Sequence, residues 1–259
     1  MNDVLFAFLL TLAAGLATAV GGAIVLFFKI TNLKFLSVAL SFSAGAMIFI
    51  SFVEIFDKAK ESLSYEFGDD NGFLFAAIAF FVGAGLVALI DKFIHHHDEA
   101  LDDIAAKDQQ DLNRTGISSA IAIAIHNFPE GLITFMAAMY DPSLGIVIAI
   151  AIAIHNIPEG IAISAPIYYA TGSKKRAFLL SLGSGLTEPL GALLGYFLLA
   201  QILHEGLLGI TFAAVGGMMI FISLHKLLPT AHKYGEHHSI MKWLFAGMIV
   251  MALSLVVLH

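Results

Sequence analysis

Two twelve-residue stretches, Ala120 to Gly131 and Ala149 to Gly160, differ only at Phe128 against Ile157. Each ends in His-Asn-x-Pro-Glu-Gly, so His126 and Glu130 stand four apart, as do His155 and Glu159. On a helix, residues four apart rise from one face about one turn from each other. Two such helices facing each other would supply two imidazoles and two carboxylates, a donor set that suits one or two borderline divalent cations. Pro129 cannot bond to the carbonyl of Ile125, and Pro158 likewise frees that of Ile154, so both helices are expected to kink beside the polar face. Gly131 and Gly160 would let another backbone approach. The freed carbonyls and the amides of Asn127 and Asn156 would add neutral oxygen donors, which temper affinity enough for an ion to leave. A third stretch, Thr187-Glu188-Pro189, again sets a carboxylate beside a proline. The plainer reading is that His and Glu pair with each other and only hold helices together, or form a proton path. Two matching cassettes and a third Glu-Pro weigh against it.

The elements that carry these residues are set by composition. Of 259 residues, 59% are hydrophobic and 13% charged, where a soluble domain carries about a quarter charged residues. Eight apolar stretches, at about 4–28, 36–57, 72–94, 116–140, 144–168, 176–203, 206–225 and 240–258, can each cross a hydrocarbon core of about 30 Å as a helix. The Ala-Ile alternation at 120–125 and 149–154 mimics a strand, but an open sheet edge cannot be satisfied in lipid. The expected fold class is therefore an all-α polytopic membrane protein of eight transmembrane helices, a single transmembrane domain over 1–259. The first stretch is too long for a signal-peptide core and has no preceding positive region, so it reads as a retained span.

Charge sets the expected orientation. The loops after spans 1, 3, 5 and 7, with their helix ends, hold eleven of the 13 Lys and Arg residues, and only Lys58 and Lys60 lie opposite. By the positive-inside rule both termini lie outside the cytoplasm of a cell membrane, inner or plasma. The outer side carries Asp3, Asp57, Glu61, Glu66, Asp69, Asp70, Asp141 and Glu205, either an ordinary solvated rim or a field that concentrates cations. A net charge of -7 without a basic stripe argues against nucleic-acid partners. The absence of cysteine excludes disulfides, thiolate ligands and thiol nucleophiles. The longest loop, 95–115, is expected to be a cytoplasmic connector holding His95, His96, His97, Asp98, Glu99, Asp102, Asp103, Asp108 and Asp111, a plain linker or a weak metal-handling tract.

Weaker candidates surround the cassettes. Ionised Glu130, Glu159 and Glu188 at bilayer depth require a shared polar interior. Glu54 and His225 are candidates for a secondary station or gate, and Met47 and Ser51, seven and three residues before Glu54, for lining the same route. Met47 reads equally well as adaptable packing. His204, His232, His237, His238 and His259 fall in loops or at ends and read as surface residues. Gly83, Gly85, Gly191 and Gly195 offer helix contacts within or between subunits.

At the cassettes, and at Gly185-Leu186-Thr187-Glu188-Pro189, the chain resembles the ZIP family of metal transporters along essentially its whole length. The resemblance implies spans 1–3 and 6–8 as an inverted repeat around spans 4 and 5, and a two-metal centre near mid-membrane. It would place one ion on His126, Glu130 and Glu159, and a second among Asn127, Asn156 and Glu188 with Glu130 and Glu159 bridging. His155 would be auxiliary and Met47 a second-span contact. Two departures stand out: Asn156 where some members have Asp, and Lys226 where relatives often have an acid. The resemblance makes a homodimer plausible. A metal ion would enter from the acidic outer side and leave into the cytoplasm, and imidazole with carboxylate suits Zn2+ first, with Fe2+ and Mn2+ close behind and Co2+ and Cd2+ also accommodated. No resident cofactor is expected, only transported metal and surrounding lipid. Two other classes compete. A membrane-embedded metallohydrolase would use the same ligands to activate water, although His-Glu-x-x-His is absent, and a non-transporting metal sensor would use the histidine-rich loop as its output.

Overall fold

A computed structural model describes residues 3–27, 32–95, 104–194, 196–197 and 205–258. The tract 96–103, with most of the histidine-rich sequence, lies outside the described residues, as do Lys29, Gly195, His204 and His259. The described elements are α1 (Asp3–Val25), α2 (Leu33–Ile50), a π-helical turn (Ser51–Ile55), α3 (Phe56–Phe67), α4 (Asp69–His95), α5 (Ile104–Tyr140), α6 (Pro142–Thr171), α7 (Lys174–Gly185), α8 (Thr187–Leu194), α9 (Glu205–Ile222), a second π-helical turn (Ser223–Leu227), α10 (Leu228–Tyr234) and α11 (His237–Leu258). Among the described residues eight helical stretches are long and apolar enough to cross a bilayer, and none forms a strand. The chain is an all-α, multi-pass membrane protein. The two Ala-Ile runs are helical, because only a helix satisfies its own backbone in lipid.

Several ends differ from expectation. The second span does not stop at 57: α2, its π turn and α3 form one stretch of 35 residues, about 52 Å at 1.5 Å per residue. It overshoots the hydrocarbon and ends where Gly68 takes a φ of 82°. The seventh span likewise passes 225 and runs through its π turn to Tyr234. The connector expected over 95–115 is helical from Ile104 onward, since Ala105, Ala106, Lys107, Gln109, Gln110 and Leu112 are good helix formers and Leu112 is buried against the core. The sixth span is broken at Leu186. Pro189 has no N–H for the carbonyl of Gly185, and α7 ends at Gly185. By contrast α5 and α6 run on through Pro129 and Pro158.

Cross-ties show which ends share a membrane face. Tyr169, late in span 5, donates its hydroxyl to the carbonyl of Asn32 at 2.6 Å, and Ser37 of span 2 donates to Ala231 of span 7 at 2.8 Å. Lys233 reaches Asp108 at 2.6 Å at the start of α5. On the other face the amide of Gly206 donates to a carboxylate oxygen of Glu66. Both sets agree with eight successive crossings.

The helices sort into two groups. α1, α5, α6, α7 and α8 pack on one another, while α2, α3, α4, α9, α10 and α11 form the second group, and α2 against α6 is the main seam between them. Close approach in the first group depends on glycine. A Cβ on Gly160 would overlap the carbonyl oxygen of Thr18 in α1, and one on Gly131 would overlap the backbone of Glu188 in α8.

The second group is tied by a buried ion pair. Lys226 Nζ lies 2.5 Å from Asp91 Oδ1, with both residues under a tenth exposed, and His225 Nε2 approaches Asp91 Oδ2 at 3.6 Å. Removing one partner of such a pair strands a buried charge at a cost of about 3–5 kcal/mol. Asp91→Ala is accordingly expected to lower the melting temperature in detergent, whereas the double change Asp91→Leu with Lys226→Met restores much of the loss. Equal melting of Asp91→Ala and the unsubstituted protein would show that the pair contributes nothing.

Candidate metal centre

Each cassette lies in the interior of a long helix, His126 to Glu130 in α5 and His155 to Glu159 in α6, and these helices pack side by side. Their polar residues turn inward. His126, His155 and Glu130 are 1%, 4% and 7% exposed, while Asn127, Asn156, Glu159 and Glu188 are fully buried.

The pairing crosses between helices. His126 Nε2 stands 3.0 Å from Glu159 Oε1 and 3.4 Å from Glu130 Oε2, and His155 Nε2 stands 2.7 Å from Glu130 Oε1. The two imidazoles stack at 6.4 Å between centroids with 25° between planes. Ligand atoms of His126, His155 and Glu159 all lie within 4.8 Å of one another. His155, expected only as an auxiliary group, is in direct contact with Glu130.

A second polar group adjoins the first. Asn156 Nδ2 donates to Glu188 Oε1 at 2.5 Å and to the carbonyl of Ala14 at 2.9 Å, and Asn127 Nδ2 donates to the carbonyl of Ser184 at 3.3 Å. The Oδ1 atoms of both asparagines and the Oε2 atoms of Glu159 and Glu188 are buried with no hydrogen-bond partner among the described residues. Thr187 Oγ1 donates to the carbonyl of Ala124 at 2.9 Å, which ties the break in span 6 to α5. Glu188 is positioned by that break and by the close approach of Gly131 to its backbone.

Each ionised carboxylate at bilayer depth costs about 3 kcal/mol or more. Among the described residues the ion pairs of Glu130 and Glu159 are made with histidine alone. Imidazole nitrogen and carboxylate oxygen converging in this way, with unpartnered oxygens directly behind, form a donor set for a divalent cation of intermediate softness.

A cavity of about 640 Å3 leads to the cluster along the seam between the two helix groups. Glu130, Ile133, Ala151, Ile152 and His155 line one wall, and Ile50, Glu54, Lys58, Glu61, Tyr65, Phe212 and Leu255 the other. Glu54 lines this cavity, paired with Lys58 at 2.5 Å. Met47 and Ser51 do not line it: Met47 is buried in the apolar core, and the hydroxyl of Ser51 donates to the Met47 carbonyl at 2.6 Å. His225 belongs with Asp91, away from the cavity lining. Of the glycines noted for contact, Gly83 and Gly191 meet neighbouring backbone, and Gly85 meets nothing within 4 Å.

The pairing of Asp91 with Lys226 and the place of Lys58 on the cavity wall escaped the reading of the sequence, yet two signals were available. Asp91 ends an uninterrupted apolar run from Gly72. Met47-Ile-Phe-Ile-Ser51 recurs as Met219-Ile-Phe-Ile-Ser223, and each serine begins a π turn while donating to the methionine carbonyl four residues back. In this second repeat Lys226 stands where the first has Glu54, a reversal of charge at matching positions.

Comparison with known proteins agrees with this architecture. The sequence model of the family described as ZIP Zinc transporter matches residues 95–255. Proteins named Zinc transporter ZupT are similar over almost the whole chain: that of Chlorobaculum parvum is 53% identical over 262 residues, covering 98% of each chain. That of Clostridium perfringens is 52% identical over 275 residues, covering 98% of this chain and 96% of its own. That of Oceanobacillus iheyensis is 51% identical over 267 residues and covers all of both. With two cassettes converging on one buried cluster, and half of all positions shared from end to end with these relatives, the chain belongs to the ZIP zinc transporter family.

Proposed function

We propose that this chain carries Zn2+ across a cell membrane into the cytoplasm, with His126, Glu130, His155 and Glu159 as the station that holds the ion in transit. The observation that carries this reading is a cluster of buried carboxylates and imidazoles reached by a cavity from one membrane face. The relatives' common name supports zinc as the cargo. Fe2+, Mn2+, Co2+ and Cd2+ suit the same donors and compete for them.

The ion exchanges water for His126 Nε2, His155 Nε2 and oxygens of Glu130 and Glu159. Oxygens of Asn127, Asn156 and Glu188 form an adjacent station for a second ion, with one fewer negative charge than an aspartate at 156 would provide. Release follows from a shift of α1 and α5–α8 against the other helices, since the cluster residues belong to the first group and the cavity runs along its seam. Protonation of imidazole and carboxylate competes with metal, so affinity falls as pH falls. Both termini lie outside the cytoplasm, the cavity opens on the acidic outer face, and spans 1–3 and 6–8 form an inverted repeat around spans 4 and 5. The whole chain acts as one transmembrane domain, and its assembly is a homodimer. It works as a carrier, without chemical turnover.

The test is zinc uptake into proteoliposomes loaded with a zinc-sensitive dye. Saturable uptake is expected, and protein-free and reconstituted vesicles filling at the same rate would refute the proposal. The wall of the cavity supplies a second expectation. Lys58 lines the same cavity as Glu130, and a positive charge beside a cation route opposes the incoming ion. Lys58→Met should lower KM for Zn2+ by roughly threefold at low salt, with less effect at high salt. A KM that is unchanged or raised at low salt would contradict this role for Lys58.

A further inference from the structure

We propose that the corner between α10 and α11 is a separate divalent-metal site, in which His232 Nε2 and His237 Nδ1 together bind one Zn2+ ion. His232 Nδ1 lies 3.0 Å from the carbonyl of Leu228. A carbonyl oxygen only accepts, so Nδ1 carries the ring proton and Nε2 presents its lone pair. That arrangement, with the far ring nitrogen anchored on a backbone carbonyl, is the usual support of a metal-binding histidine.

The spacing then fits a metal. His232 Nε2 and His237 Nδ1 are 3.3 Å apart. Two nitrogens at 2.0–2.1 Å from a tetrahedral zinc ion stand about 3.3–3.4 Å from each other. In the metal-free state His237 Nδ1–H donates to His232 Nε2, and on binding the His237 proton moves to its own Nε2, so neutral rings accept the ion without net proton release. His238 follows directly, its ring 6.1 Å from that of His237. Water completes the shell.

The corner is built to hold this spacing. α10 ends at Tyr234, Gly235 is extended at φ -136° and ψ 163°, and α11 begins at His237. Ser37 Oγ donates to Ala231 at 2.8 Å, and a Cβ on Gly235 would overlap the Ser37 side chain. Lys233 is held by Asp108 at 2.6 Å and Asp111 at 3.5 Å. The three histidines are exposed, at the face shared by the ends of spans 5 and 7 and the start of span 4. In the proposed orientation this is the cytoplasmic face, where delivered metal emerges. The site does not depend on the transport reading.

The test uses the unsubstituted full chain in detergent. Its histidines are modified with diethyl pyrocarbonate with and without micromolar Zn2+, and the label on each peptide is read by mass spectrometry. Zn2+ should slow modification of His232 and His237 several-fold. In parallel, His232→Ala and His237→Ala should each bind one zinc ion fewer than the unsubstituted chain in competition with a chromophoric chelator. Equal labelling with and without Zn2+, or an unchanged ion count in both variants, overturns the site. Zinc uptake is measured separately, so failure here and failure of the transport proposal are told apart.

Discussion

Glu159→Ala is expected to abolish zinc uptake, and Glu130→Ala to do the same, each by at least a hundredfold in initial rate. Glu159 is fully buried, 3.0 Å from His126, and Glu130 joins both imidazoles at 3.4 and 2.7 Å. Without either carboxylate the ion loses an anionic oxygen where water is scarce, and losing even one charge-assisted bond of about 3 kcal/mol costs roughly a hundredfold in occupancy. The effect must be separated from misfolding. Gln keeps the volume and an oxygen but not the charge, so Glu159→Gln should elute and melt like the parent while transporting poorly. Uptake above a tenth of the parent rate in both alanine variants would remove these carboxylates from the path.

Gly160→Val is expected to cost both stability and transport. Its side chain would enter the carbonyl of Thr18 and separate α6 from α1, where Asn156 also donates to Ala14 at 2.9 Å. Overpacking of this kind costs about 1–3 kcal/mol, more where the obstacle is backbone. The displaced helix carries His155, Asn156 and Glu159, so uptake should fall at least tenfold in whatever protein remains folded. Gly85 provides the contrast, because a Cβ there meets nothing within 4 Å. Gly85→Ala should leave uptake unchanged and, by helix propensity, stabilise by about 1 kcal/mol. Equal melting temperatures for Gly160→Val and the parent would mean that the close approach of α1 and α6 is not needed.

The parts of this architecture legible in the sequence are those written in local pattern. Apolar runs of sufficient length marked eight crossings, and the twin cassettes marked α5 and α6 because His and Glu four apart share a face wherever the helix lies. What the pattern lacked was partnership. Spacing alone paired His126 with Glu130 on one helix, yet the nearer contacts run between helices, His126 to Glu159 and His155 to Glu130. Which carboxylate faces which imidazole depends on the rotation and offset of α5 against α6, a tertiary quantity expressed where Gly116 meets Ile163 and Ile167 and Gly145 meets Ala138.

Span ends were legible only where polarity changes abruptly. The second span was expected to end at 57, but helical hydrogen bonding does not stop at a charged residue, and the helix continues past Asp57 to Phe67, with Gly68 the first residue to leave it. The break at Leu186 has the opposite character. Three prolines sit beside glutamates in similar settings, yet only Pro189 coincides with an interruption; those at 129 and 158 lie within continuous helices. The proline identifies which carbonyl is freed, and the surrounding packing decides whether the helix parts there.

Zinc-edge anomalous diffraction from crystals grown with Zn2+ tests the central claim most directly. The account predicts a strong peak bounded by His126 Nε2, His155 Nε2 and the carboxylates of Glu130 and Glu159, and its disappearance in Glu159→Ala crystals. A fully occupied zinc ion elsewhere in the membrane interior, with these four side chains still bonded only to one another, would contradict it.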